Sequence, residues 1–141
     1  MRRVLVLTVV AGCALLGGCG PLSNGELARG VETLGTLAAE GRLVADGVAS
    51  DRTRATYTRV HSRELAEDAA HEAEKLADAN VQRGLEQPRD QAVAVAQRLD
   101  DTLGELETFP GGERTGAQVR DDLVGIEDEV DRLTKRLAEM R

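Results

Sequence analysis

His61, Glu64, Asp68 and His71 are separated by three, four and three residues, which puts all four on one face of a helix. Imidazole and carboxylate groups one turn apart can chelate a divalent cation, so this face is the candidate metal site of the chain. A second group is purely cationic. Arg52, Arg54, Arg59 and Arg63 fall within twelve residues that contain no acid, in a chain whose net charge is −7. Such a stretch could dock an anionic wall polymer or an acidic partner, and otherwise it is a solvated run beside a helix end. No Gly-rich phosphate loop, His-Glu-x-x-His or Gly-x-Ser-x-Gly is present. Asp100-Asp101 and Asp121-Asp122 are adjacent in sequence, so on a helix they point in different directions. These residues lead us to expect no enzyme and no cofactor.

The elements that carry the histidine face decide how it is weighed. Asp68-Ala69-Ala70-His71 has the i, i+3 spacing of the Glu-x-x-His ligands of di-iron bundles, but those sites take such motifs from two helices and further Glu from two others. Here one copy occurs, and it begins with Asp. At about 100° per residue the face lies roughly 135° from the centre of the Ala66-Ala69-Ala73-Leu76 seam. It should therefore look at solvent beside Tyr57 and Lys75. We expect a charged solvated face with no bound metal, and keep a metal- or small-ligand-binding bundle as the alternative reading.

Four seams organise the chain. Ser23-Asn24-Gly25-Glu26 is a capping box, followed by Leu27, Val31, Leu34, Ala38, Gly41, Ala45 and Val48 in steps of four and three, with Leu37 and Val44 widening the stripe. The same register runs on through Arg52, Ala55, Arg59 and Ser62 to Ala66, Ala69, Ala73, Leu76 and Asn80. That continuity permits one long helix over residues 24–86. Gly47, Ser50 and Asp51 favour instead two helices with a bend over 47–51. Gln87-Pro88 opens a third seam of Ala92, Ala96, Leu99, Leu103 and Leu106, and Phe109-Pro110-Gly111-Gly112 closes it. Thr115 with Gln118 caps the last helix, whose seam is Val119, Leu123, Ile126, Val130, Leu133, Leu137 and Met140. Asp128 with Arg132 and Asp131 with Lys135 are i, i+4 surface pairs on it. No strand pattern occurs. The expectation is an all-α fold, a small antiparallel up-and-down bundle of three or four helices, whose seams could also support self-association.

Composition narrows the partners. An acidic chain of sequence pI ≈ 4.9 lacks the basic surface that displaces counterions from nucleic acid. Tyr57 and Phe109 are the only aromatic residues, which argues against stacking on bases, sugars or flat cofactors. Of the 18 basic residues only Lys75 and Lys135 are lysines. Both cysteines, Cys13 and Cys19, lie near the start, so no disulfide, zinc ribbon or cysteine nucleophile is expected in the body.

The start of the chain supplies the localisation. Arg2 and Arg3 precede an apolar run from Val4 to Leu16, long enough for a signal h-region and too short to span a bilayer. Leu16-Gly17-Gly18-Cys19 follows. This resembles the lipobox of bacterial lipoproteins, with an aliphatic residue three before the cysteine and small residues between. The resemblance implies that the chain is cut before Cys19 and that Cys19 carries the lipid, each buried methylene contributing about 0.8 kcal/mol. Val10-Ala11-Gly12-Cys13 fits the same pattern, at the cost of a shorter h-region and an exposed Ala14-Leu15-Leu16. The expected organisation is a signal peptide over 1–18, a lipidated tether over 19–24 and a helical domain over 25–141. The protein would be held by lipid on the extracytoplasmic face of a bacterial membrane or envelope, as an interaction or scaffold module for an envelope protein or wall polymer. The resemblance covers the leader alone.

Overall fold

Local signals start and stop four helices. In the computed structural model, which describes residues 20–112 and 114–140, these are α1 (Asn24–Ala49), α2 (Ala55–Asp78), α3 (Glu86–Glu107) and α4 (Gly116–Glu139). Both capping boxes form. Ser23 Oγ accepts from the Glu26 amide while the Glu26 carboxylate accepts from the Ser23 amide at 2.8 Å. Thr115 and Gln118 make the same reciprocal pair at the head of α4. Each box satisfies two amides that the first turn leaves free. Pro88 lies in the first turn of α3, where its missing N–H costs nothing.

The continuous seven-residue register does not make one helix of residues 24–86. The first helix stops at Ala49, and Asp51 turns the chain with φ 54°, a left-handed conformation that Asp tolerates better than most residues. The second helix starts at Ala55 and ends at Asp78, short of Asn80. Within it the seam shifts. Arg59 is exposed, and the buried face runs through Thr58, Ser62, Leu65, Ala66, Ala69, Glu72, Ala73 and Leu76. Two buried hydroxyls are satisfied by their own helices, Ser62 Oγ donating to the Thr58 carbonyl at 2.6 Å and Thr102 Oγ1 to the Arg98 carbonyl at 2.8 Å, while Thr58 Oγ1 pairs with Thr53 Oγ1 of the preceding turn at 3.4 Å.

The helices pack as an up-and-down bundle. α1 lies most extensively along α4 and α2 along α3, and α3 meets α4, α1 meets α2, and α1 reaches α3 across the centre. The core is aliphatic: Leu27, Val31 and Leu34 of α1 meet Leu76, Leu99, Leu103, Leu123 and Leu137, all nearly inaccessible to water. Met140, placed at the end of the last seam by its spacing, is the C-cap of α4 and is 42% exposed. The bundle ends at Leu137, so no neighbouring helix remains to cover it.

One end of the bundle is tied by backbone. The chain ahead of α1 makes a single parallel bridge between Leu22 and Val81 in the α2–α3 linker. The Leu22 amide donates to the Asn80 carbonyl at 2.7 Å, and the Gln82 amide donates to the Leu22 carbonyl at 3.0 Å. Asn24 Nδ2 adds a bond to the Leu137 carbonyl at 3.0 Å, which brings in the C-terminal turn of α4. Of the stretch 19–24 expected as a tether, Leu22 and Asn24 are thus held by the bundle. Gly84 turns the linker with φ 91°, a left-handed conformation that strains any side chain.

Candidate functional site

The end where the chain enters the bundle holds Leu22, the α2–α3 linker and the last turn of α4. The opposite end holds the α1–α2 turn and the α3–α4 loop. Since α1 has 26 residues, the two ends stand about 39 Å apart at 1.5 Å per residue. The arginine stretch and the start of the histidine face lie toward the end away from chain entry. Cys19 and the alternative Cys13 lie outside the described residues.

The four arginines do not form one patch. Arg52 sits in the turn, its Nε donating to Ser50 Oγ at 3.0 Å, and lines a groove of about 350 Å³ between α1 and α2 with Glu40, Leu43, Tyr57 and His61. Arg54 is the exposed N-cap of α2. Arg63 reaches the other way and pairs with Glu107 of α3 at 3.2 Å. Arg59, one turn before Arg63, is exposed on that same flank. The absence of acids between residues 52 and 63 therefore describes sequence neighbours, while in space Glu107 and Glu40 border the run on its two sides.

The histidine face is split by exposure as well. Glu64, Asp68 and His71 are exposed and His61 is half-buried. The His61 ring stacks on Tyr57, with centroids 5.5 Å apart and planes 26° from parallel, and its Nδ1 stands 3.6 Å from Glu64 Oε2. Among the described residues no three His, Cys, Asp or Glu side chains gather in a way that could hold a metal ion. Helix spacing aligns the four residues along one face, but among the described residues they do not converge with a further side chain into a set that could hold an ion.

Among the described residues the acid that is buried is Glu72, next to His71 in sequence. It is 6% exposed, and both its oxygens accept from Lys75 Nζ at 3.1 Å. Gly30 of α1 makes the room, since a Cβ there would come within 2.8 Å of Glu72 Oε1. Sequence spacing gave one hint: Glu72 falls between Ala69 and Ala73 and Leu76 on the inward side of α2. Its charge argued the other way.

No family profile, curated protein or solved structure matches this chain.

Electrostatics outside the core are those of a surface laced by ion pairs. Arg42 joins Glu127 at 2.7 Å and Asp46 at 3.7 Å, stitching α1 to α4. Arg98 forms a two-pronged pair with Glu129 between α3 and α4, which holds the Glu129 carboxyl below its ordinary value against a smaller opposing effect of burial. Arg114 fastens the α3–α4 loop through Glu105 at 2.9 Å and Asp122 at 2.7 Å. Burial, with Asp101 and Glu107 adding repulsion, pushes the Asp100 carboxyl up. Asp128 with Arg132 and Asp131 with Lys135, expected as i, i+4 pairs, do not close to within 4.0 Å among the described residues. Exposed pairs of this kind contribute at most about 1 kcal/mol each, so they fix register more than they stabilise.

Three large apolar side chains break this charged exterior on the α1 and α2 faces: Leu43 is 64% exposed, Tyr57 58% and Val60 53%. Leu43 and Tyr57 share one groove, and all three stand in the half of the bundle away from chain entry. Among the described residues no helix is long and apolar enough to cross a membrane.

Proposed function

We propose that this protein is a lipid-anchored helical interaction module, displayed on the extracytoplasmic face of a bacterial membrane and recognising another envelope component through its outer helix faces. The observation that carries the proposal is the placement of Leu43 and Tyr57 in one open groove, in the half of the bundle away from chain entry. Tyrosine and arginine are among the residue types that dominate binding energy at protein interfaces, and the exposed Leu43 adds apolar area beside them. The lipobox at Leu16-Gly17-Gly18-Cys19 supports the anchor. With Leu22 tied to residues 80–82, only a few residues would separate a lipid on Cys19 from the bundle. The domain would then stand upright or lean on the bilayer by its entry end, holding the α1–α2 turn and the α3–α4 loop outward.

Two experiments test this. Cys19→Ser should move the protein from the membrane fraction to the soluble one. Retention of that variant, together with release by Cys13→Ser, would assign the lipid to the earlier cysteine, and retention of both variants would refute a lipid anchor. In-cell crosslinking of the lipidated protein, followed by mass spectrometry of what is attached, should return a recurrent envelope protein or wall-polymer fragment. Recovery of the uncrosslinked protein alone would refute the interaction reading.

A further inference from the structure

We infer that the groove between α1 and α4 binds a basic amphipathic helix of a partner protein. The inference rests on the reading of this chain as an interaction module and names the surface and the chemistry that such a module would use.

The groove has a volume of about 600 Å³ and runs from Glu32 to Leu43 along α1, beside the stretch from Glu127 to Thr134 of α4. Its floor is made by small and aliphatic residues. Gly35 lets α1 come close to Val130, since a Cβ at Gly35 would lie 3.1 Å from Val130 Cγ1, and Ala39 continues the floor. Leu43 stands at one end, 64% exposed, the most accessible large apolar side chain among the described residues. Along the edges stand four carboxylates, Glu32, Glu40, Glu127 and Asp131. Arg42 neutralises Glu127. No cation among the described residues comes within 4.0 Å of Glu32, Glu40 or Asp131.

That combination selects the occupant by charge. An apolar floor edged by three carboxylates that no cation among the described residues meets within 4.0 Å attracts a segment whose apolar stripe is flanked by Lys or Arg, and it repels acidic segments, this chain's own acidic helices included. The length agrees with a helix. The twelve residues of α1 from Glu32 to Leu43 span about 16 Å, or three turns, enough for anchors at i, i+3 or i+4, and i+7 laid into the groove. Leu43 would pack against the first anchor, Ala39 and Gly35 would admit the next two, and Glu40 and Asp131 would meet basic side chains from opposite walls.

The test uses the full lipidated chain in a neutral detergent and a synthetic amphipathic peptide of about fourteen residues, Leu at helical spacing and Lys elsewhere. Its acidic counterpart, Glu in place of Lys, is the control. The Lys peptide should bind saturably and more weakly as NaCl rises from about 50 to 500 mM, because the carboxylates are solvent-facing and screened. Leu43→Asp, and separately the pair Glu40→Lys with Asp131→Lys, should each weaken it at least about tenfold. All three positions are exposed, so circular dichroism should report unchanged helicity and melting. Equal binding to wild type and variants, or equal binding of the acidic peptide, overturns the inference.

In cells, a photo-crosslinking residue is placed at Ala39 in the groove and, separately, at Tyr57 outside it. Capture from Ala39 of a protein with a basic amphipathic helix, lost in the Glu40→Lys and Asp131→Lys variant, supports the groove. Capture of a second copy of this chain from Ala39 overturns it. Capture from Tyr57 alone overturns the groove and leaves the interaction module standing, whereas capture from neither position refutes both.

Discussion

Two Gly→Ala substitutions in α4 should change stability in opposite directions, because only one of the glycines is there to let backbones touch. Gly116 is the first residue of α4 and is buried against the last turn of α1. A Cβ built on it would lie 2.6 Å from Val48 Cγ1, 2.8 Å from Val48 Cβ and 2.8 Å from the Ala49 amide nitrogen. Ordinary contact begins near 3.5 Å, so α1 and α4 would have to part by about 0.7 Å or more. Neither neighbour yields easily. Ala49 N is helix backbone, and Val48 is β-branched with one favoured rotamer in a helix. Overpacking of this kind costs about 1–3 kcal/mol, and the propensity gain of Ala over Gly, at most about 1 kcal/mol, is reduced in the first turn. Gly116→Ala should therefore lose about 1–2 kcal/mol. Gly125 lies mid-helix, exposed, with nothing within 4 Å of its would-be Cβ. Gly125→Ala should gain about 0.5–1 kcal/mol.

Urea melts followed by circular dichroism, on the chain from residue 20, read both. The midpoint should move down for Gly116→Ala and up for Gly125→Ala with the slope unchanged. In thermal melts each 1 kcal/mol should appear as about 3–6 °C for a domain of this size. If Gly116→Ala melts at or above wild type, the close approach of α1 and α4 is wrong. A destabilised Gly125→Ala would mean that the outer face of α4 is covered.

Ile126→Asp should abolish cooperative unfolding, since Ile126 is 3% exposed and a buried unpaired carboxylate costs several kcal/mol; a normal melt would refute the core assignment. On the acid side, Glu129 and Glu26 are held below their ordinary value of 4.5, Glu129 by Arg98 and Glu26 by its bonds from Ser23. The stability they contribute is complete above pH 4.5 and lost as pH falls through their lowered values, so Glu129→Gln should flatten the decline of urea midpoints below pH 4.5. Asp100 has the opposite sign, its carboxyl raised by burial, and Asp100→Asn should leave the protein at least as stable as wild type at pH 7. Zinc, manganese or iron added to the unlipidated domain should give no saturable rise in melting temperature, and a rise abolished by His61→Ala with His71→Ala would revive the metal-binding reading.

Much of the helical layout could be read locally. Ser23 with Glu26 and Thr115 with Gln118 are three residues apart, so each capping box is specified within one turn and needs nothing from the rest of the chain. Leu27 to Val48, Ala92 to Leu106 and Val119 to Leu137 took their inward places because a four-three spacing allows one apolar face. The bend near 47–51 was balanced in sequence against a continuous register, and Asp51 in a left-handed conformation resolved it.

The sequence by itself therefore determined the capped starts of α1 and α4 and the apolar faces of α1, α3 and α4, because those depend on neighbours within a turn or two; the division of α1 from α2 and the full inward face of α2 were not fixed that way. Tertiary structure decided everything that needs a partner from far along the chain. It set α1 on α4 and α2 on α3, exposed Met140 by ending the bundle at Leu137, and buried Glu72 where Gly30 left room. It also sent Arg63 to Glu107 and left Arg52 beside Tyr57, dividing a cationic run that looks continuous in one dimension. The acidic, apolar-floored groove beside Leu43 exists only because two helices some ninety residues apart were brought side by side. A helix face is a local property of spacing, but a surface between helices is fixed by which faces meet.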